Sequence, residues 1–495
     1  MQLNKLFMRI LFTSFLLSIG LFVSAQDSTI QKTDLISSAK LYDISFTTKE
    51  IDTLYSDVID NLANYKAMHR LPLANSVPLS MWQTPVVPGM HFNTVQKTIA
   101  WKLDNTVQLP TNKNDLAFYT LEQLASLIKN KKISSLALTQ FFIDRIKKWG
   151  DTLQCVISIQ EDIAYAEAKK ADAELAQGKY RGLLHGIPYG LKDLFAVKGT
   201  KTTWGAAPYQ NQIIEEDAFV YTKLRDAGAV LVAKFTLGAL AMGDYWYGGR
   251  TKNPWNLNYG SSGSSAGSTS ATVAGLVPFA IGTETWGSIV SPSTTCGATG
   301  LRPTFGSISR SGAMALSYSL DKVGPICRSA ADAAIVFNYI HGTDGKDGSA
   351  VNMPFNYTPN KDIKKLKIAY AKNYFDKIKD TSRNEFKVLE EFKKLGVQLI
   401  PVNFPDSGVY NFNIMDVVIG VECAAQFDEM TRMNIDDILT RQTKNDWPNS
   451  FRTARFVPAV EYINAQRHRY TLMQKVNEVM QQYDVIICPS RGDGN

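Results

Sequence analysis

The chain has 495 residues, of which 45% are hydrophobic and 20% charged, a globular balance that excludes a disordered or fibrous protein. The formal charge of +7 falls to +5 without Lys5 and Arg9, and the other cations are scattered among acids, which argues against a nucleic-acid footprint. Five cysteines (155, 296, 327, 423, 488) lack a C-x-x-C and five histidines form no H-x-x-x-H, so no disulfide scaffold, metal site or cofactor is expected.

In chain order, residues 1–25 read as a secretory signal: Lys5 and Arg9, an apolar run from Ile10 to Val23 that is short for a membrane span, then Val23-Ser24-Ala25 as a cleavage site. Export to the periplasm or the medium is expected, with no integral span after signal removal. Residues 26–115 form an N-terminal extension and helical region. In it Thr47 or Thr48 can cap a helix carrying Ile51, Leu54, Tyr55, Val58, Ile59 and Leu62 at helical spacing, and Leu71 to Gly89 reads as an extended connector. Residues 116–495 form the main domain, opening with amphipathic helices over Leu121–Lys129, Ser135–Trp149 and Ile163–Gln177. Strand-like runs at Ala229–Ala233, Leu276–Ile281 and Lys367–Ala369 then alternate with helical patterns, which predicts a layered α/β fold. Between Asn411 and Arg469, Trp447, Phe451, Phe456 and Tyr462 are candidates either for an acyl pocket or for helix packing.

The chemistry concentrates in three segments. After the apolar run to Ile281 comes Gly282-Thr283-Glu284-Thr285-Trp286-Gly287-Ser288, a Gly-flanked loop in which the N–H groups of Thr285, Trp286, Gly287 and Ser288 can converge on one oxyanion beside the Ser288 hydroxyl. Upstream lies a second hydroxyl cluster, Gly263-Ser264-Ser265-Ala266-Gly267-Ser268, and further upstream Lys192-Asp193 closes the Gly/Pro-shaped run from His185. A serine hydroxyl needs a base. With no convincing histidine partner, a lysine whose ammonium is disfavoured by burial is the best base available, and a second serine can shuttle the proton.

These segments resemble the amidase signature family. The resemblance rests on Gly186-Ile187-Pro188 through Lys192-Asp193, Asn253-Pro254-Trp255-Asn256, Gly263 to Ser268, Gly282 to Ser288, Cys296-Gly297, Gly300-Leu301-Arg302-Pro303-Thr304 and Asp321-Lys322-Val323-Gly324-Pro325. It implies Lys192 as base, Ser264 as bridging serine in a cis peptide and Ser288 as the residue acylated, with Ser265, Glu284 and Asp193 in support. It also implies an α/β/α sandwich on a mixed β-sheet, hydrolysis of carbon–nitrogen amide bonds in a small-molecule substrate, and no metal.

Departures from the family pattern are Trp286 and Ala266 at glycine positions, Val290 where arginine is common, and an end at Asn495 where relatives usually continue, a possible C-terminal truncation. Three rival readings follow. Ser265 centres a formal G-x-S-x-G elbow of an α/β-hydrolase. The chain can be the amidase subunit of a tRNA-dependent amidotransferase, against which the export signal argues. It can also be a catalytically impaired binding protein, for which Trp286 and the short C-terminus are the motive.

Overall fold

The structure, a computed structural model, describes residues 30–490 apart from 43, 69, 72, 73, 78–80, 82, 92, 359 and 360. The expected export signal lies outside these residues, and the chain divides into two compact units, residues 1–73 and 74–495.

In the first unit, helix α1 (Lys32–Leu41) pairs with α2 (Thr48–Met68). Thr47 supplies the cap of α2: Glu50 N donates to its Oγ1, and its own N–H donates to Glu50 Oε2 at 2.7 Å. The two helices are joined by Lys32 Nζ on Asp52 at 2.7 Å and by Tyr55 OH donating to the Ile30 carbonyl. Ala39 and Ile51 are buried.

In the second unit a 3-10 helix (Lys113–Phe118) is followed by α3 (Leu121–Lys129), where Thr120 and Gln123 cap each other reciprocally. Next comes α4 (Ser135–Leu153), capped by Ser134 and reaching four residues beyond the predicted end at Trp149. Strand β1 (Val156–Ile159), α5 (Glu161–Ala176), β2 (Pro188–Lys192), α6 (Phe219–Asp226) and β3 (Val230–Phe235) follow, then α7 (Ala266–Val273), β4 (Ala280–Glu284), α8 (Val290–Cys296), β5 (Thr299–Gly300), β6 (Lys322–Cys327) and α9 (Ala330–Ile340). The predicted strand over Leu276–Ile281 is displaced: it starts at Ala280 and runs to Glu284. Pro278 has no N–H to give a ladder, so the apolar residues before Ala280 pack in a bend instead.

The six strands lie in the order β1-β3-β2-β4-β6-β5. β2 runs parallel to both β3 and β4, whereas β1, β5 and β6 are antiparallel to their neighbours, giving a mixed sheet. Strand alternation feeds two apolar layers. Tyr189, Leu191, Leu231 and Ile281 enter one cluster with α3 and α9, while Val230, Val232 and Ala280 enter another with α4 and α5. This is the α/β/α sandwich expected from the resemblance. Beyond it, a parallel three-stranded sheet joins Ile368–Ala371 to Ile400–Val402 and Val485–Ile487.

Because β2 and β4 are parallel, their carboxyl ends share one edge of the sheet, and antiparallel β6 starts there too, with Lys322 paired to Glu284. Open α/β sheets gather ligands at that edge.

Candidate active site

Lys192 is the last residue of β2, and its side chain is fully buried at the carboxyl edge. Its Nζ lies 2.8 Å from Ser264 Oγ, 3.2 Å from Ser265 Oγ and 2.8 Å from Thr283 Oγ1. No carboxylate stands within ion-pairing distance of it among the described residues. Burial pushes the Lys192 amine down to about 7, against smaller upward pulls from Asp321 and Glu284.

Hydrogen bonding separates the two serines. Ser265 Oγ donates to the Thr283 carbonyl at 3.0 Å and accepts from Thr283 N at 3.2 Å, so its hydroxyl proton is committed. Ser264 Oγ has Lys192 as its partner. A neutral amine has two N–H bonds and one lone pair. The N–H bonds suit Ser265 Oγ and Thr283 Oγ1, which leaves the lone pair for the Ser264 proton.

The Gly263–Ser264 peptide is cis. Gly263 has no room for a side chain, since a Cβ there would meet the Gly243 carbonyl oxygen at 1.8 Å. The cluster is tied to the next segment through backbone: Ser265 N donates to the Ser288 carbonyl at 3.1 Å. Ser288 is partly exposed, and among the described residues its Oγ makes no hydrogen bond to Ser264 or Lys192. The expected chain of Lys192, Ser264 and Ser288 is therefore closed at its first step and open at its second, as is common for catalytic contacts without substrate.

The sequence profile of the family described as Amidase matches residues 137–493. The chain belongs to the amidase family. It is an amidase, an enzyme acting on carbon–nitrogen amide bonds. It is 34% identical over 399 residues to a glutamyl-tRNA(Gln) amidotransferase subunit of Coxiella burnetii (strain Dugway 5J108-111), covering 75% of this chain and 82% of that one. Among solved structures, the native peptide amidase of Stenotrophomonas maltophilia superposes with a TM-score of 0.64 at 26% identity, over 77% of this chain and 84% of the other. A chain from an inhibitor-bound vestigial complex, solved for the origins of an s-triazine catabolic enzyme, gives 0.70 at 26% identity, over 76% and 82%.

Within this amidase the loop after β4 is held from both sides. Glu284 Oε2 accepts from Ile289 N at 2.8 Å and Val290 N at 2.9 Å, and its Oε1 takes Arg302 Nη1 at 3.3 Å. Thr285 Oγ1 donates to Asp321 at 2.5 Å, and Lys322 Nζ donates to the Thr285 carbonyl at 3.2 Å. By contrast, the N–H groups of Thr285, Trp286, Gly287 and Ser288 find no acceptor among the described residues, which leaves them free for an oxyanion. Gly287 carries the positive φ of the loop (+99°), while Trp286 keeps an ordinary φ and is half-exposed, so the tryptophan is accommodated without backbone cost.

Of the expected supporting residues, Ser265 and Glu284 join the site and Asp193 faces away from it. Asp193 forms a fully buried ion pair with Lys234 at 2.9 Å and accepts from Thr203 N and Oγ1. Thr283, Arg302, Asp321 and Lys322 stand at the site although sequence reasoning gives them no role. All four lie inside the motifs that carry the resemblance, but nothing in those motifs says which side chain turns inward.

Ser265 is bound on three sides and does not project as a free elbow nucleophile. Trp447 and Phe451 stack on each other at 4.9 Å, with Phe451 buried and Trp447 Nε1 donating to the Leu240 carbonyl, so both are packing residues. Phe456 is exposed and Tyr462 donates to Glu422.

Proposed function

We propose that the chain cleaves amides through an acyl-enzyme, with Ser288 as nucleophile, Ser264 as relay and Lys192 as general base. The observation that carries this reading is the buried Lys192 amine, 2.8 Å from Ser264 Oγ and with no carboxylate partner among the described residues. Lys192 takes the Ser264 proton as Ser264 takes that of Ser288, and Ser288 Oγ bonds to the amide carbon. The oxyanion sits against the N–H groups of Thr285, Trp286, Gly287 and Ser288. The proton then returns through Ser264 to the amine nitrogen as the carbon–nitrogen bond breaks, and water releases the acid by the same route.

A fluorophosphonate that labels the native protein at Ser288, together with acid and amine release from a panel of small amides, supports this reading. Persistence of either in Ser288→Ala defeats it.

The similarity to glutamyl-tRNA(Gln) amidotransferase subunits favours a second reading, and it supports this one better than it supports a free-standing hydrolase. Here the same acyl-enzyme chemistry would release ammonia from glutamine for a partner protein. The two readings share Lys192, Ser264 and Ser288 and differ in setting. We propose export on the strength of residues 1–25, which a cytosolic enzyme has no use for. Fractionation with N-terminal sequencing decides the compartment. Glutamine turnover that rises only with partner proteins and tRNA would select the amidotransferase.

A further inference from the structure

A trans peptide is planar, with its carbonyl and its N–H pointing opposite ways, so whatever grips the carbonyl of one residue aims the N–H of the next. Among the described residues the one cis bond is Gly263–Ser264, so the peptides from Thr285 to Ser288 are trans. Two of them are held at the carbonyl, by donors of different kinds. The Gly287 carbonyl accepts from Ser291 N at 2.7 Å, in the first turn of α8, and this bond aims the Ser288 N–H. A backbone group supplies it, as any residue but proline could at that position.

The Thr285 carbonyl is gripped by a side chain. It accepts from Lys322 Nζ at 3.2 Å, and no backbone N–H among the described residues reaches it. The direction of the Trp286 N–H, which has no acceptor among the described residues, is therefore set by a lysine 36 positions along the chain from Trp286 (322 − 286).

Lys322 is anchored for that task. It is the first residue of β6, paired with Glu284 at the end of β4, which places it beside Thr285. Its side chain is buried, and a second bond to the Leu320 carbonyl fixes the ammonium. Asp321 complements it from the preceding position, accepting from Thr285 Oγ1 on one oxygen and from Leu316 N and Ser317 N on the other. Consecutive residues thus hold Thr285 by its hydroxyl and by its carbonyl.

No carboxylate stands within ion-pairing distance of Lys322 among the described residues, and a buried charge without a counter-ion is destabilising. Burial, with Arg302 adding to it, pushes the ammonium down to about 8, which still leaves it mostly charged at pH 7. A charged donor makes the stronger hydrogen bond to a carbonyl, so the cation suits gripping the loop better than it suits stability.

We infer that Lys322 is a positioning residue of the oxyanion hole: by holding the Thr285 carbonyl it aims the Trp286 N–H at the oxygen that becomes negative when Ser288 attacks. The inference rests on the acyl-enzyme reading above and assigns the aim of one of its donors to a side chain outside the loop.

The test follows Ser288 labelling by a fluorophosphonate, read by mass spectrometry, and kcat and KM on the fastest amide of the panel. The full-length native protein is compared with Lys322→Met, which cannot donate, and Lys322→Arg, which can. Losing an oxyanion donor outright lowers kcat by about 10²–10³, so a donor left free to turn should lower it by roughly tenfold or more. In Lys322→Met both the labelling rate and kcat should fall by that factor, with KM little changed and Tm not lowered, and Lys322→Arg should recover most of the loss. Native rates in Lys322→Met overturn the inference while leaving hydrolysis intact. A loss that comes with a lower Tm assigns Lys322 to the fold, and one confined to KM assigns it to substrate binding; either overturns it, as does a folded Lys322→Arg no faster than Lys322→Met. If the native protein is neither labelled at Ser288 nor able to hydrolyse any amide, the acyl-enzyme reading fails and this inference falls with it.

Discussion

Two lysines are fully buried on adjacent strands, and their surroundings differ in one respect. Lys234, on β3, meets the Asp193 carboxylate at 2.9 Å and also donates to Thr202 Oγ1 and the Lys201 carbonyl. Lys192, on β2, meets no acid among the described residues: its side-chain partners are the hydroxyls of Ser264, Ser265 and Thr283. Asp193 follows Lys192 directly in the chain, yet it turns to the other lysine. The result is one amine locked as an ion pair and one held near neutrality beside a serine. An acid next to a lysine in sequence is therefore no guide to which cation it neutralises: Asp193 pairs with Lys234 and not with Lys192.

Removing the Lys192 amine has the largest expected effect. Lys192→Met should lower kcat by roughly 10²–10⁴, the usual reach of general acid–base catalysis, with no fall in Tm because an apolar chain replaces an uncompensated amine. Amine release and a thermal melt read the two effects separately, and a collapse in Tm would show Lys192 to be structural. Asp193→Asn should act the other way round: it strands Lys234 as a buried unpaired charge, costing about 3–5 kcal/mol in denaturant unfolding. A loss under about 1 kcal/mol would mean that the pair contributes little.

Burial lowers the Lys192 amine to about 7, and a base works only when deprotonated, so kcat/KM should fall roughly tenfold per pH unit on the acid side of that value and level off above it. A profile flat from about pH 5 to 8 would count against Lys192 as the base. The smallest effect is expected at Trp286. With an ordinary φ and a half-exposed ring, Trp286→Gly should shift stability by no more than about 0.5 kcal/mol, and any change should appear in KM across an amide panel.

Much of this site is legible in the sequence. The helices over Leu121–Lys129 and Ser135–Leu153 follow from caps and periodicity, because both act over a few residues. The strand after Pro278 is not placed by its apolar run, because such a run marks burial equally well in a bend and in a strand. Ser288, Ser264 and Lys192 stand out because the proposed nucleophile, relay and base are demanding residue types in an ordered set.

Composition, local pattern and motif order already carry the family, the layered α/β class and the residue types available for chemistry. Folding alone settles that no carboxylate among the described residues reaches Lys192, that Asp193 belongs to Lys234 and that Ser265 is committed to Thr283. Those outcomes depend on which side chains a sheet edge turns toward one another, and electrostatic partnership is set by distance in space, which residues far apart in the chain acquire only on folding.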